Sequence, residues 1–202
     1  GTEVEKISNK EIASRMQVSP PAVTEMIKRM ISEGLLVKDK THGYLLTDLG
    51  SQLVSDLYRK HRLIEVFLLE NLGYTTEEVH EEAEVLEHTV SDHFIDRLDH
   101  MLGNPKTCPH GGTIPKKGER LVETYQDRLS ETTQPGLYSL RRVYDTYELL
   151  KFLDQIHLQI GDTIVFQRYD DYTGLYHLVI HEQEISINQV IAQQLYIEKH
   201  AV

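Results

Sequence analysis

The hydrophobic period changes once along this chain of 202 residues, and that change decides what it can fold into. Up to Leu102 apolar residues recur at helical spacing, as in Leu53, Leu57, Ile64, Leu68 and Leu72. From Gly136 onward they alternate with polar ones, as in Thr163-Ile164-Val165-Phe166 and Tyr176-His177-Leu178-Val179-Ile180. A period of 3.6 buries one stripe of a helix and a period of 2 buries one face of a strand. The expected fold is therefore mainly α with a small β domain at the C-terminal end. Several short strands in about 65 residues, with one helix near 147–156 between them, fit a small SH3-like barrel.

Local signals refine the helical part. Ser8, followed three residues on by Glu11, reads as a capping box opening a short helix over 8–16. After a break at Gln17-Val18, Ser19 caps a second helix whose first position is Pro20, where the missing N–H costs nothing. Gly34 ends it. Leu35-Leu36-Val37-Lys38 and Tyr44-Leu45-Leu46-Thr47 flank the turn Lys40-Thr41-His42-Gly43, a two-stranded hairpin. Helix, tight turn, helix and hairpin in that order make a winged helix-turn-helix. Further helices are predicted over 48–72, 76–88, 89–102 and 117–129, with a Pro- and Gly-rich loop holding Pro105, Pro109, Gly111, Gly112 and Pro115. The expected domains are 1–60 (winged helix), 61–130 (helical) and 131–202 (SH3-like).

The formal charge of −11 argues against a chain that coats nucleic acid, but it is unevenly spread. Residues 1–60 hold 9 Lys+Arg against 8 Asp+Glu, a net of +1, while the remainder holds 12 against 24, a net of −12. No apolar stretch is long enough for a membrane span. The single cysteine, Cys108, excludes an internal disulfide framework and fits a reducing cytoplasm. The chain opens on Gly1-Thr2-Glu3-Val4-Glu5, without a basic or apolar leader and without Met, so loss of a short N-terminal piece is expected.

Two constellations carry chemistry. In the winged helix, the second helix would present its N-terminal residues to base edges in the major groove. Ser19 and Ala22 are small enough for close approach, and Pro21 and Ala22 offer apolar contact to a thymine methyl. Glu25 can accept from a cytosine amino group, although its charge weakens the attraction to DNA. Thr24, Lys28 and Arg29 can hold phosphates, with Lys38, Lys40 and His42 on the wing. A winged helix used only for protein packing is the alternative. The second constellation is a set of metal-ligand types. His61 and Glu65 lie four apart on one helix face, and His80, Glu84, Glu87 and His88 follow the same i, i+3, i+4 logic. Cys108-Pro109-His110 adds a thiol and an imidazole two residues apart. Six of the eleven histidines lie between His61 and His110. Each residue alone reads equally well as solvated surface; the spacing of the group is what points to a metal. Catalysis is not expected: the zinc-protease pattern would need His where Glu84 stands, and neither a phosphate loop nor a nucleophile elbow is present.

These residues together resemble a known family. Ser19-Pro20-Pro21-Ala22-Val23-Thr24, His61-Arg62-Leu63-Ile64-Glu65, Glu84-Val85-Leu86-Glu87-His88 and Cys108-Pro109-His110-Gly111, in that order, are similar to the diphtheria-toxin-repressor family, most of all to its streptococcal manganese-responsive members. The resemblance implies a homodimer with a winged-helix domain, a helical domain for dimerisation and metal binding, and an SH3-like domain. It implies one metal site from Glu84, Glu87 and His88 with His61 reaching in, and a second from Glu65, Cys108, His110 and a C-terminal carboxylate, Asp145. His80 matches a ligand of the iron-sensing relatives. The family's first helix supplies a further ligand to the first site, and this chain begins after that helix, so that site is expected to be incomplete. A carboxylate at Glu84, where iron-sensing members carry Cys, favours Mn(II), whereas Cys108 would let Zn(II) or Cd(II) bind, and Fe(II) is a further ion expected to bind in vitro. The implied function is repression with Mn(II) as corepressor at two sites per subunit, acting on operator DNA of metal-uptake genes, with no membrane and no small-molecule substrate. A metal-storage or metal-delivery protein without DNA binding is the alternative.

Overall fold

The structure is a computed structural model describing residues 8–76 and 78–200; the expectations placed on the opening residues lie outside them. The chain forms two compact units, one of Gly1–Leu57 with Lys116–Arg120 and one of Tyr58–Pro115 with Leu121–Val202. Among the described residues no helix is long and apolar enough to cross a membrane.

The first unit is the winged helix. α1 (Asn9–Arg15) is capped by Ser8, whose Oγ accepts the Glu11 N–H at 3.2 Å. α2 (Pro20–Ser32) is capped by Ser19, whose Oγ accepts the Ala22 N–H at 3.3 Å. Ala13, Val23 and Ile27 form a small core with Ile12 and Tyr44 packed against it. Burying side chains such as Val23 and Ile27 contributes roughly 1.5–3 kcal/mol each. β1 (Leu36–Asp39) and β2 (Gly43–Leu46) pair antiparallel, with Asp39 opposite Gly43. One oxygen of Asp39 accepts the backbone N–H of both Thr41 (2.8 Å) and His42 (2.6 Å), so the tip of the wing is closed by its own strand. Thr47 then accepts the Gly50 N–H and opens α3 (Asp48–Leu72).

The second unit begins with the later turns of α3 and continues with α4 (Val79–Glu87) and α5 (Asp92–Met101). α5 starts later than the expected 89 because Ser91 caps it, accepting the Phe94 N–H at 3.2 Å. Leu63, Ile64, Leu68, Val79, Ala83, Ile95 and Leu98 pack as the helical core. The buried Arg59 ties α3 to α5 through Asp99 at 2.7 Å and Asp96 at 3.4 Å. The C-terminal part is a five-stranded antiparallel sheet of β3 (Gly136–Val143), β4 (Thr163–Asp170), β5 (Leu175–Ile180), β6 (Gln183–Asn188) and β7 (Leu195–Lys199). Its order is β6-β5-β4-β3-β7, and register breaks at Leu140/Arg142 and Phe166/Arg168 bend it as β-bulges do. α6 (Tyr147–Gln155) and the short α7 (Gln189–Ala192) cover its apolar face.

One expectation is corrected. Residues 117–129 do not form a helix; only a 3-10 turn, Leu129–Glu131, is present. The segment's groups are claimed by partners elsewhere instead. The Thr124 N–H goes to Thr113 Oγ1, the Tyr125 carbonyl accepts from Arg142, and the Asp127 carbonyl accepts the Ile197 N–H. Tertiary pairing overrides local propensity there. The helices from Tyr58 onward and the sheet lie in one compact unit. The Val143 N–H of β3 donates to the His110 carbonyl at 3.0 Å, so the loop after α5 is hydrogen-bonded directly to the sheet.

Candidate metal centre and nucleic-acid face

Glu65 sits at the middle of the helical unit on α3, with no solvent exposure. A bare carboxylate in such a place must be matched by positive charge or by donors. Three imidazoles supply them: Glu65 Oε1 lies 3.1 Å from His61 Nε2, 3.5 Å from His80 Nδ1 and 3.3 Å from His110 Nδ1. Burial raises the Glu65 carboxyl, but hydrogen bonds from His110, His61 and His80 outweigh it and hold it well below the usual range. The reciprocal shift is on the histidines. Burial works against charge on His61, yet Glu65 and Glu87 push its pKa up to about 9. His80 is raised, first by its bond to Glu65, and His110 is raised against its own burial by the same carboxylate.

The ring nitrogens are oriented for a cation. His110 Nε2 lies 3.0 Å from the Thr76 carbonyl, which can only accept, so Nε2 carries the proton and Nδ1 faces Glu65 with its lone pair when the ring is neutral. His61 Nδ1 lies 2.7 Å from Glu87 Oε2, which orients that ring in the same way and leaves Nε2 toward Glu65. Four buried side-chain atoms of the described residues lack a well-aligned hydrogen-bond partner, and two of them, Glu65 Oε2 and His110 Nδ1, are on this cluster, the latter 3.3 Å from Glu65 Oε1. One ligand atom each from His61, Glu65, His80 and Asp145 lie within 4.8 Å of one another, and so do those from Glu65, Cys108 and His110. Oxygen, nitrogen and sulfur donors converging on orphaned buried atoms fit a divalent transition metal. Burial, with the Glu65 charge beside it, pushes the Cys108 thiol far up, so it is a thiol until a cation displaces its proton.

The loop bearing Cys108 and His110 is built for close approach. Thr107 and Thr113 form a bridge across its base, and the Cys108 N–H donates to the Gly112 carbonyl at 2.9 Å. Gly111 adopts φ +79°, and a Cβ there would lie 1.9 Å from the Arg141 carbonyl oxygen of β3. Gly112 leaves room for the Arg62 guanidinium, which a Cβ would meet at 2.6 Å. Asp145 follows β3 directly and comes within 3.5 Å of His80 Nδ1.

The structure places Glu65 with Cys108 and His110 in one group and with His61, His80 and Asp145 in another. Glu87 is buried and bonded to His61. Glu84 is exposed on α4, and His88 is exposed at its end, 3.4 Å from Glu87 Oε1; neither belongs to the two gathered groups. Sequence reasoning missed Arg62 and Gly112 as supports of the loop, although Arg62 is adjacent to His61.

On the winged helix, Val23 and Ile27 turn inward. Ser19, Pro21, Ala22, Glu25, Lys28 and Arg29 are exposed on α2, and Lys40 is exposed on the wing. Glu25 pairs with Lys28 at 2.8 Å and Arg29 with Glu33 at 3.5 Å. Thr24 is half-buried; its hydroxyl donates to the Pro20 carbonyl and accepts from Asn9, so it is engaged inside the unit.

Comparison with known proteins divides the chain into three segments. Residues 1–44 match the N-terminal DNA binding domain of iron dependent repressors, residues 47–116 their metal binding and dimerisation domain, and residues 128–199 the FeoA domain. The crystal structure of the manganese-activated repressor ScaR in its apo form is 64% identical with a TM-score of 0.94, covering 99% of this chain and 95% of that one. The manganese regulator SloR is 54% identical with a TM-score of 0.89, covering 97% and 91%. ScaR has also been solved with bound Zn2+ and with bound Cd2+. The iron-dependent repressor IdeR of Mycobacterium tuberculosis is 40% identical over 104 residues. That match covers 52% of this chain and 45% of IdeR, so the chain spans about half the length of such relatives.

Proposed function

The chain belongs to the diphtheria-toxin-repressor family of metal-dependent transcriptional regulators, and on that premise we propose that it is a manganese-activated repressor acting as a homodimer on operator DNA of metal-uptake genes in the cytoplasm. The observation that carries this is the fully buried Glu65 carboxylate, with its Oε2 orphaned and its Oε1 3.3 Å from His110 Nδ1. His61 and Glu65 on α3, His80 on α4, Cys108 and His110 on the following loop and Asp145 after β3 would hold the ion. Bound there, a divalent cation supplies the positive charge that protons otherwise bring to this carboxylate. Mn(II) is the proposed resident, with Zn(II) and Cd(II) as competitors through Cys108 and Fe(II) as a further in vitro competitor. A second ion is proposed at Glu84, Glu87 and His88 with His61 reaching in, a site that the family resemblance implies.

The residues then perform a switch. Glu65 and the His61 ring, held by Glu87, organise α3; His110 and Asp145 bring the loop and the sheet to the same point. Ordering these segments biases the chain toward a form whose recognition helices can occupy successive major grooves. Moving that equilibrium from mostly off to mostly on takes on the order of 5 kcal/mol of differential binding. Ser19, Pro21, Ala22 and Glu25 are the proposed base-facing residues, with Lys28, Arg29 and Lys40 toward phosphates and Thr24 behind them, its hydroxyl donated to the Pro20 carbonyl.

The test is fluorescence anisotropy of a labelled manganese-transporter promoter fragment with chelator-stripped protein during Mn(II) titration. Binding that appears with Mn(II) and is lost on chelation supports the proposal. Tight Mn(II) uptake with no DNA affinity at low salt would replace it with metal storage or delivery.

A further inference from the structure

We infer that Glu123, which lies outside every ligand group, is a positioning residue that sets the metal affinity of the Glu65, Cys108 and His110 site by clamping the ligand loop to α3. The inference rests on the metal reading of that site.

The loop closes on itself through the Thr107–Thr113 bridge, the Cys108–Gly112 bond and an Ile114 N–H to Lys106 carbonyl bond at 2.8 Å. None of these fixes where the loop stands relative to the helix that carries His61 and Glu65. That registration falls to Thr113, whose two backbone groups are both claimed. Its carbonyl accepts from Arg62 Nη1 at 2.5 Å, and its N–H donates to Glu123 Oε2 at 2.9 Å. Glu123 Oε1 in turn accepts from Arg62 Nη2 at 2.6 Å, closing a ring of three residues. Arg142 of β3 approaches the same oxygen at 3.7 Å. The Arg62 side chain is 8% exposed and that of Glu123 19%, so the pair is largely withdrawn from water, where its geometry is enforced more strongly than at a surface.

The ring touches the site at both ends. Arg62 is the immediate neighbour of His61 on α3, and Thr113 is three residues from His110. Gly112 is free of a side chain at the point where the guanidinium passes. A shift of the loop by a fraction of an ångström moves Cys108 and His110 together relative to Glu65. Groups that orient ligands in this way commonly control metal affinity by between about tenfold and a hundredfold.

The experiment uses the full chain with Cd2+ alone as probe. Cys108 is the only cysteine, so the thiolate-to-cadmium absorption band reports this site and no other. In E123Q one oxygen remains for Thr113, but the amide opposes the Arg62 donors. The expected result is a Cd2+ affinity reduced by between about tenfold and a hundredfold, with E123D intermediate and metal-free thermal unfolding recorded beside each. If E123Q does not fold, R62K decides: Lys keeps the charge beside Glu123 but cannot hold the Thr113 carbonyl as well, and the same weakening is expected. A band titrating at the affinity of the unsubstituted chain in E123Q, or in R62K where that variant decides, overturns the inference. No band in the unsubstituted chain would instead overturn the metal reading, and this inference with it.

Discussion

Gly111 is the point at which a single methyl group should separate the ligand loop from the sheet. In Gly111→Ala the new Cβ would lie 1.9 Å from the Arg141 carbonyl oxygen and 2.9 Å from the Arg141 carbonyl carbon and the Arg142 Cα. All three are backbone atoms, so no side chain can turn aside. Holding a non-glycine residue at φ +79° costs roughly 1–2 kcal/mol. Relieving the clash pulls His110 from β3 and leaves the buried Val143 N–H without its acceptor, a further ~1–3 kcal/mol. The expected destabilisation is about 2–5 kcal/mol, read as a shift in the urea unfolding curve by circular dichroism. Gly103→Ala is the control: it has φ +76° with nothing within 4 Å, so only the conformational cost of roughly 1–2 kcal/mol applies. Because His110 and Asp145 lie on the two sides of that contact, Gly111→Ala should also weaken the metal-induced rise in melting temperature, while Gly103→Ala should not. Equal unfolding curves for the two variants would refute the reasoning.

Three further outcomes are expected. Ser19→Ala removes the cap from α2 and should lower the stability of the winged helix by ~1 kcal/mol, measured by thermal unfolding. The His61 pKa is raised from 6.5 to about 9, so its charged form stabilises the metal-free fold fully below pH 6.5 and that contribution is lost as pH rises through about 9. Metal binding should show the opposite sign over the same window, since the ring must give up its proton; calorimetric titrations at pH 6.5 and 8.5 would read stronger binding at the higher value, and His61→Gln should flatten the dependence. Lys28→Ala and Arg29→Ala should each reduce the slope of log affinity for operator against log salt by about 0.9 if each neutralises one phosphate, with little change in sequence preference.

Much of the fold is legible because its signals are local. Ser8, Ser19 and Pro20 announce helix starts, Gly34 and Gly43 mark turns, and the alternation after Gly136 marks the strands. The segment 117–129 misleads because its helical pattern competes with partners more than ten residues away, such as Arg142 and Ile197, which no window along the chain reveals. The site was half visible. His61 with Glu65 and Cys108 with His110 are readable from spacing, and Asp145 enters only through resemblance. The convergence of His80 on the same carboxylate depends on how α4 packs against α3. Glu123 carries no pattern at all, since one glutamate among the chain's 32 acidic residues looks like solvated surface until Arg62 is found beside it.

Glu65 is common to both gathered groups, the one with His61, His80 and Asp145 and the one with Cys108 and His110. An ion bound there as proposed would be held at once from α3, α4, the ligand loop and the segment after β3, so no one of these could release it alone. A cell reading such a sensor would obtain a threshold whose position is written largely in one side chain.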